Sequence, residues 1–303
     1  MSGDVPRATT DVAVVGAPFF DLTFSGLPRL PAAGEELVAD ALAIGPGGTG
    51  MQAIGAARLG LRTALVAPRP SDRAGDALRA MFEAEGVAWV GPRASAASTT
   101  AVLSTSSGTA MATVVGDGEP SANDVADVGA RAVVVSLGRI ALAPPGARVY
   151  VTTGTLELDA GVRPEHASPG ETRALILNAA EARRATGVDD LDAATRWLAA
   201  EVANVVVTDG PRGALTVEDG RVVRIPAPDV ETVDATGAGD LFVATYVWAD
   251  LGGAGAVDAI AWAGLAAGLS VGSRTAFEGA VGLTELLEEG ATRGLTPPPD
   301  VTP

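Results

Sequence analysis

From residue 132 onward short apolar runs alternate with helical stretches, and no other feature restricts the fold of this chain as strongly. Ala132 to Ser136, Val149 to Thr152, Ala174 to Asn178 and Val205 to Thr208 are too short and too uniformly apolar for surface helices. Such runs read as strands buried on both faces. Glu181 to Thr186 and Leu191 to Glu201, which separate the later ones, have helical spacing. Strands interleaved with helices predict a parallel sheet covered on both sides. Asp11 to Gly16 and Thr63 to Ala67 add strands, and Leu215 to Glu218 with Val222 to Ile225 form a hairpin about Asp219-Gly220. Further helices are expected at Gly50 to Leu59, Gly75 to Glu85, Ala238 to Ala249, Val257 to Ser270 and Leu283 to Glu289, before a Pro-rich tail expected to fray. Glu36 to Ile44, Thr100 to Ser104 and Ala110 to Val115, the last after a Ser/Gly turn, do not fit the alternation. They read as a small sheet projecting from the main body. The expectation is one α/β domain over residues 1–303, with lid strands near 36–44 and 100–115.

Composition narrows the chemistry. There is no Cys and, by inspection, no Lys: every basic side chain is Arg. Thiolate nucleophiles, disulfides, Cys-zinc sites, Schiff bases and a Lys-bearing P-loop are therefore excluded. The single His, His166, falls in a Pro/Gly-rich stretch from Arg163 to Gly170 and reads as a loop residue. General-base work is left to carboxylates. The net charge of −16 disfavours nucleic acid and anionic membranes as partners. Without an apolar run of membrane-spanning length or an h-region in Met1 to Thr10, the expected location is cytoplasmic.

The richest segment is Val233 to Phe242, read Val-Asp-Ala-Thr-Gly-Ala-Gly-Asp-Leu-Phe. A strand-like lead meets a turn of small residues and then an apolar helical run. Gly237, Ala238 and Gly239 leave main-chain N–H groups unshielded at a helix N-terminus, an anion hole backed by the helix dipole. Phosphoryl transfer relies on such positioning and charge stabilisation. Asp240, in the first helical turn, stands where it can take a proton from an attacking hydroxyl. The same residues also suit a tight turn followed by an ordinary acidic N-terminal residue.

Asp234 to Asp240 resembles the signature of the ribokinase-like (PfkB) carbohydrate kinase family, Asp-Thr-Thr-Gly-Ala-Gly-Asp, with Ala235 as the one departure. Gly47-Gly48-Thr49-Gly50-Met51-Gln52-Ala53, running on to Ala57-Arg58-Leu59-Gly60, is similar to the family's N-terminal signature. Gly16 with Asp21, Pro31 to Glu35, Asn178 with Glu181, and Thr208-Asp209-Gly210 with Gly213-Ala214 follow in the family's order, so the likeness runs from Asp11 to Leu287. The resemblance implies a three-layer α/β/α ribokinase-like domain with a small β-sheet lid, and transfer of the ATP γ-phosphoryl group to a primary alcohol. It implies Asp240 as the base and Gly237 to Gly239 as the anion hole. Asp21, Gly47, Gly48 and Gln52 would meet a sugar or nucleoside substrate. Asn178, Thr208, Gly210 and Gly213 would lie on the nucleotide side. Glu181 would act on Mg2+ through water, and Asp234 with Thr236, more weakly Ser273, would serve a monovalent cation such as K+. Pairing of lids between subunits would give a homodimer.

Each of these has a plainer reading. Asn178 and Glu181 also fit a helix capping box, Asp21 a turn acceptor and Gly213 a turn glycine. Several positions depart from ribokinase: Phe19 replaces an Asn beside the sugar, Gln52 the Asn of the first signature, and Gly138 a ribose-contacting Glu. Ribose is therefore not the expected acceptor. Phe19 and Phe20 suit either a flatter substrate such as a nucleoside or the core at a strand end. These departures leave open a binding or regulatory protein that kept the fold and lost catalysis. A dinucleotide-dependent oxidoreductase, suggested by Gly45 to Gly50, fails because the first strand ends about thirty residues earlier, at Gly16. The segment Ile140 to Val149, with Pro144-Pro145, is too short for the helix expected there, and the sheet is expected to be rewired or less covered at that point.

Overall fold

A computed structural model describes residues 10–105, 108–166 and 172–301. Residues 1–9, Ser106 and Ser107 of the Ser/Gly turn, and most of the Pro/Gly-rich stretch after His166 lie outside the described residues. Among the described residues a nine-stranded sheet runs in the order Arg221–Ile225, Ala214–Glu218, Val205–Thr208, Thr172–Asn178, Arg148–Thr152, Ala132–Ser136, Val12–Val15, Thr63–Val66 and Ala88–Val90. The edge hairpin is antiparallel both within itself and to Val205–Thr208; every other junction is parallel. Asp219 and Gly220 both take positive φ, 47° and 74°, as a two-residue hairpin turn that follows the strand twist requires.

Successive side chains in a strand point to opposite faces, so each strand serves two cores. Val12, Val14, Val134, Tyr150, Ile176 and Val206 face one layer, with Ile54, Phe82, Tyr246, Ile260 and Leu286 from the helices. Ala13, Val15, Val133, Val151, Leu175 and Val207 face the other, against Val125, Ala182 and Leu198. The architecture is the expected three-layer α/β/α sandwich.

The segment after Ala132–Ser136 does not rewire the sheet. Arg148–Thr152 is its direct parallel neighbour. A 3-10 helix, Leu137–Leu142, spans the gap, and Leu137, Ile140 and Leu142 cover the second core before Pro144-Pro145. The tail is likewise ordered, contrary to expectation. The Trp262 indole donates to Thr296 O at 3.0 Å, Asp300 N–H to Gly252 O at 2.8 Å, and Leu295 and Val301 pack on the core.

A second sheet stands apart, in the order Ala41–Gly48, Pro18–Leu27, Ser98–Thr105 and Gly108–Val114. Its first strand begins at Ala41, not Glu36, and takes in the glycine run that reads as a turn. Pro46 is tolerated because this is an edge strand, where a missing N–H breaks no ladder. The long Pro18–Leu27 strand escapes the sequence reading, since Pro18 suggests a turn. It sends Phe19, Asp21 and Thr23 to one face and Phe20 toward the main core. Among the described residues no helix is long and apolar enough to cross a membrane.

Candidate active site

Two helices start side by side beneath the second sheet. Thr49–Arg58 begins after Gly48 and Ala238–Leu251 after Gly237, and neither carries a side-chain N-cap. The second is buried continuously from Leu241 to Leu251. They cross where Gly55 meets Leu241 and Ala244: a Cβ on Gly55 would lie 2.9 Å from Leu241 Cδ2 and 3.0 Å from Ala244 Cβ. Only a residue without a Cβ permits so close a crossing, and it brings the first turn of one helix onto the first turn of the other. Gln52, 7% exposed, thereby donates from Nε2 to Asp240 Oδ1 at 2.9 Å. The side chain the sequence reading assigned to substrate is thus engaged with the carboxylate.

Gly237 holds φ at 81°, the left-handed conformation that turns the chain into the helix. Of the expected cradle, Ala238 N–H is drawn into a 3.3 Å turn bond with Ala235 O, and Asp240 N–H bonds Gly237 O at 3.0 Å. The amides of Gly237 and Gly239 have no partner among the described residues, and nothing lies within 4 Å of a Cβ built on Gly239. Two open N–H groups thus stand at the positive end of a fourteen-residue helix.

A cleft of about 310 Å³ opens between this turn and the second sheet, and Asp21, Gly47, Gly48, Asp234, Thr236, Gly237 and Asp240 line it. Asp21 and Gly47 are fitted to one another: a Cβ on Gly47 would lie 2.0 Å from Asp21 Oδ2. Asp21 Oδ1 is buried without a hydrogen-bond partner. Burial pushes its carboxyl up to about 6, eased by the Thr100 hydroxyl. Asp240 is half-buried but enclosed by protein. Burial pushes it from the ordinary 3.8 to about 7; the Gln52 hydrogen bond opposes that, and the charges of Asp21 and Glu181 add to it. Asp234 accepts Thr236 N–H at 2.8 Å on Oδ1, while its Oδ2 is buried and unpartnered.

The residues expected on the nucleotide side gather elsewhere, at the carboxyl ends of the parallel strands. Asn178 and Thr208 end neighbouring strands in register. Gly210 and Gly213, φ 56° and 91°, bracket the 3-10 turn that follows. Asn178 and Glu181 do form a capping box, Asn178 N–H to Glu181 Oε2 at 2.8 Å and Glu181 N–H to Asn178 Oδ1 at 2.9 Å. Burial raises the Glu181 carboxyl above the usual range, opposed by its hydrogen bonds with Asn178. Ser273 does not line the cleft; Thr275, Ala276 and Phe277 of the same loop do.

Sequence reasoning missed Thr100, Met111, Thr113, Val115, Leu156 and Phe277, all of which border the cleft. Alternation in the two lid strands could have exposed the first four; no sequence signal marks Leu156. Glu157 is a further surprise. It fills the room left by Gly138, where a Cβ would lie 2.8 Å from Glu157 Oε1, and accepts the Ser136 hydroxyl at 2.6 Å.

Comparison with known proteins bears on the fold. Residues 166–280 match the model of the pfkB family carbohydrate kinases. Over 157 residues, 52% of the chain, the sequence is 36% identical to the Bifunctional protein HldE of Streptomyces coelicolor, and the match spans only 29% of that protein. Ribokinase from Giardia lamblia superposes with a TM-score of 0.80 at 18% identity, covering 94% of this chain and 100% of that one. Adenosine kinase from Sinorhizobium meliloti gives 0.76 at 21%, covering 95% and 100%. Arabidopsis thaliana ribokinase complexed with ribose and ATP gives 0.75 at 22%, covering 92% and 98%. The fold is the ribokinase fold.

The raised carboxyl of Asp240 has a sign that stability can read. The folded chain holds that proton to about pH 7, whereas an unfolded Asp releases it near 3.8. Folding stability from this group is therefore lost as pH rises from about 4 to 7. Asp240→Asn removes the cost, so the variant should melt about 6–7 °C above wild type at pH 8, with the gap closing as pH falls below about 4. A melting difference that does not change with pH would show that burial does not raise this carboxyl.

Proposed function

We propose that this chain, a ribokinase-fold protein with a pfkB-family segment over residues 166–280, is an ATP-dependent phosphotransferase. Its acceptor is the primary hydroxyl of a small sugar or sugar-like molecule, nucleosides included. The reading is carried by the pair of open amides at Gly237 and Gly239 immediately ahead of an enclosed carboxylate, Asp240. In the proposed reaction Asp240 takes the hydroxyl proton and the acceptor oxygen forms a bond to the γ-phosphorus. The bond from that phosphorus to the bridging oxygen breaks, and ADP leaves with its electron pair. The amides and the helix dipole stabilise negative charge on the transferring oxygens. A carboxyl near 7 is well matched to a base working at neutral pH. The intact pair also favours catalysis over a lapsed binding protein, which has no use for the base.

Mg2+, when bound, would neutralise charge on the ATP phosphates. Among the described residues no three acidic or His side chains converge to cage a metal, which suits an ion held through phosphates and water. The Glu181 carboxylate, at the start of the helix beside Asn178, would be the residue to hold it through water. The orphaned, buried Asp234 Oδ2 supports a monovalent cation such as K+ held with the Thr236 loop.

The second sheet supports the lid and the homodimer. Its outer face exposes Leu42, Ile44 and Val114 at 52%, 43% and 70%, beside an apolar hollow of about 480 Å³ lined by Phe24, Leu27 and Leu103. An apolar sheet face of this kind invites a second copy.

Asp240→Asn should lower kcat about 10³-fold with the best acceptor, and wild-type kcat/KM should fall below about pH 7 as the base protonates. Unchanged turnover in the variant would remove Asp240 from the mechanism. Activity in K+ should exceed that in Na+, with the difference abolished in Asp234→Ala; equal rates in both salts would argue against a cation there. In sedimentation velocity the 30.1 kDa chain should run as a dimer and Ile44→Ser/Val114→Ser as a monomer. A wild-type monomer at micromolar concentration would refute the lid interface.

A further inference from the structure

The cleft beneath the second sheet combines two unlike kinds of lining, and the difference bears on the acceptor of the reaction proposed above. Cross-strand rows set the change. Asp21, Thr100 and Thr113 lie abreast on one row; Thr23, Val102 and Met111 lie on the next. The row of hydroxyls and a carboxylate is thus bordered by the apolar Met111 on one side and, two residues beyond Thr113 on the other, by Val115. Met111, Val115 and Leu156 are 60%, 69% and 79% exposed, and all three border this one cleft. Large apolar side chains held in water around a concave site mark a contact surface awaiting an apolar partner. Phe19 and Phe277 extend the same lining toward the floor.

Charge points the same way. Asp21, Asp234 and Asp240 line the cleft, no Arg does, and the chain has no Lys. Arg29, Arg139 and Arg274 are paired with Glu35, Glu119 and Glu278. A sugar phosphate would bring a dianion among three carboxylates with no lining cation to receive it. A free polyol would fare poorly for the opposite reason: hydroxyls turned to Met111, Val115 and Leu156 would leave water without gaining a partner.

We propose that the acceptor is a nucleoside-like alcohol: uncharged, with ring hydroxyls turned to Asp21 and a planar group laid against the apolar flank that begins at Met111. The volume of about 310 Å³ lies at the small end of ligand pockets and suits one such molecule. The inference rests on the kinase reading for its chemistry but on the lining alone for its ligand class.

The test pairs calorimetric binding without ATP with steady-state kinetics, over purine and pyrimidine nucleosides, the matching free pentoses and a set of sugar phosphates. At least one nucleoside should bind and should exceed its free pentose in kcat/KM by tenfold or more. In Met111→Ser, a change at an exposed position, the nucleoside-to-pentose ratio of kcat/KM should fall about tenfold, chiefly through KM. A free sugar or sugar phosphate turned over ahead of every nucleoside overturns this inference and leaves the kinase reading standing. Nucleoside binding with no turnover of any acceptor does the reverse. Neither binding nor turnover of any nucleoside overturns it outright.

Discussion

The arrangement depends on the contact between Gly55 and the Leu241–Ala244 turn. Two helices that start without side-chain caps are pressed together there, so Gln52 and Asp240, 188 residues apart, share a hydrogen bond. One helix is wholly buried beyond its first turn, and its axis is fixed by packing on every side. Its open N-terminus is consequently a rigid source of positive potential, not a fraying end. Asp240 experiences two opposed effects in that position. The helix dipole favours its charge by about 0.3–1 kcal/mol. Enclosure disfavours it by far more: moving the carboxyl from 3.8 to about 7 corresponds to roughly 4 kcal/mol. Burial wins, and the result is a carboxylate that can exchange a proton near neutrality.

The second sheet solves a related problem on the other side of the cleft. Because strand side chains alternate, one sheet presents two chemically different faces from a single sequence run. Pro18–Leu27 sends Asp21 and Thr23 inward, while Phe24 borders the hollow on the outer face. Ala41–Gly48 pairs with it so that Gly47 leaves room for the Asp21 carboxylate. A side chain larger than glycine at that position would displace the carboxylate. Gly47 is therefore a steric partner of Asp21 more than a flexible hinge.

What the sequence revealed was local, and what it hid was not. Val12 to Val15, Val133 to Val135 and Val205 to Val207 announce buried strands because both faces are covered, so every residue is apolar. The Gly237 to Asp240 turn was legible because its chemistry lies within four consecutive residues. The strand at Pro18–Leu27 was masked by a proline at its start, and the one at Ala41–Gly48 by glycines that also spell a turn. The tail from Leu295 to Val301 looks disordered by composition, yet it caps the Trp262 indole and docks against Gly252. Gln52 against Asp240, Glu157 over Gly138 and Leu156 at the cleft rim are pairings between distant segments. No local period encodes them.

Charge distribution ties the site to the whole molecule. With a net charge of −16 and carboxylates along its cleft, the chain repels polyanions almost everywhere. Where a triphosphate is concerned, the two bare amides ahead of Asp240 offer a fixed attraction at the cleft, made of main chain and not of basic side chains. A main-chain cradle has a further consequence in a protein without Lys. It cannot be moved by side-chain rotamers, so in the proposed reaction the helix axis would set the position of the transferring group. Precision at the proposed reacting centre would then follow from the packing at Gly55, with the choice of acceptor left to the sheet that faces it.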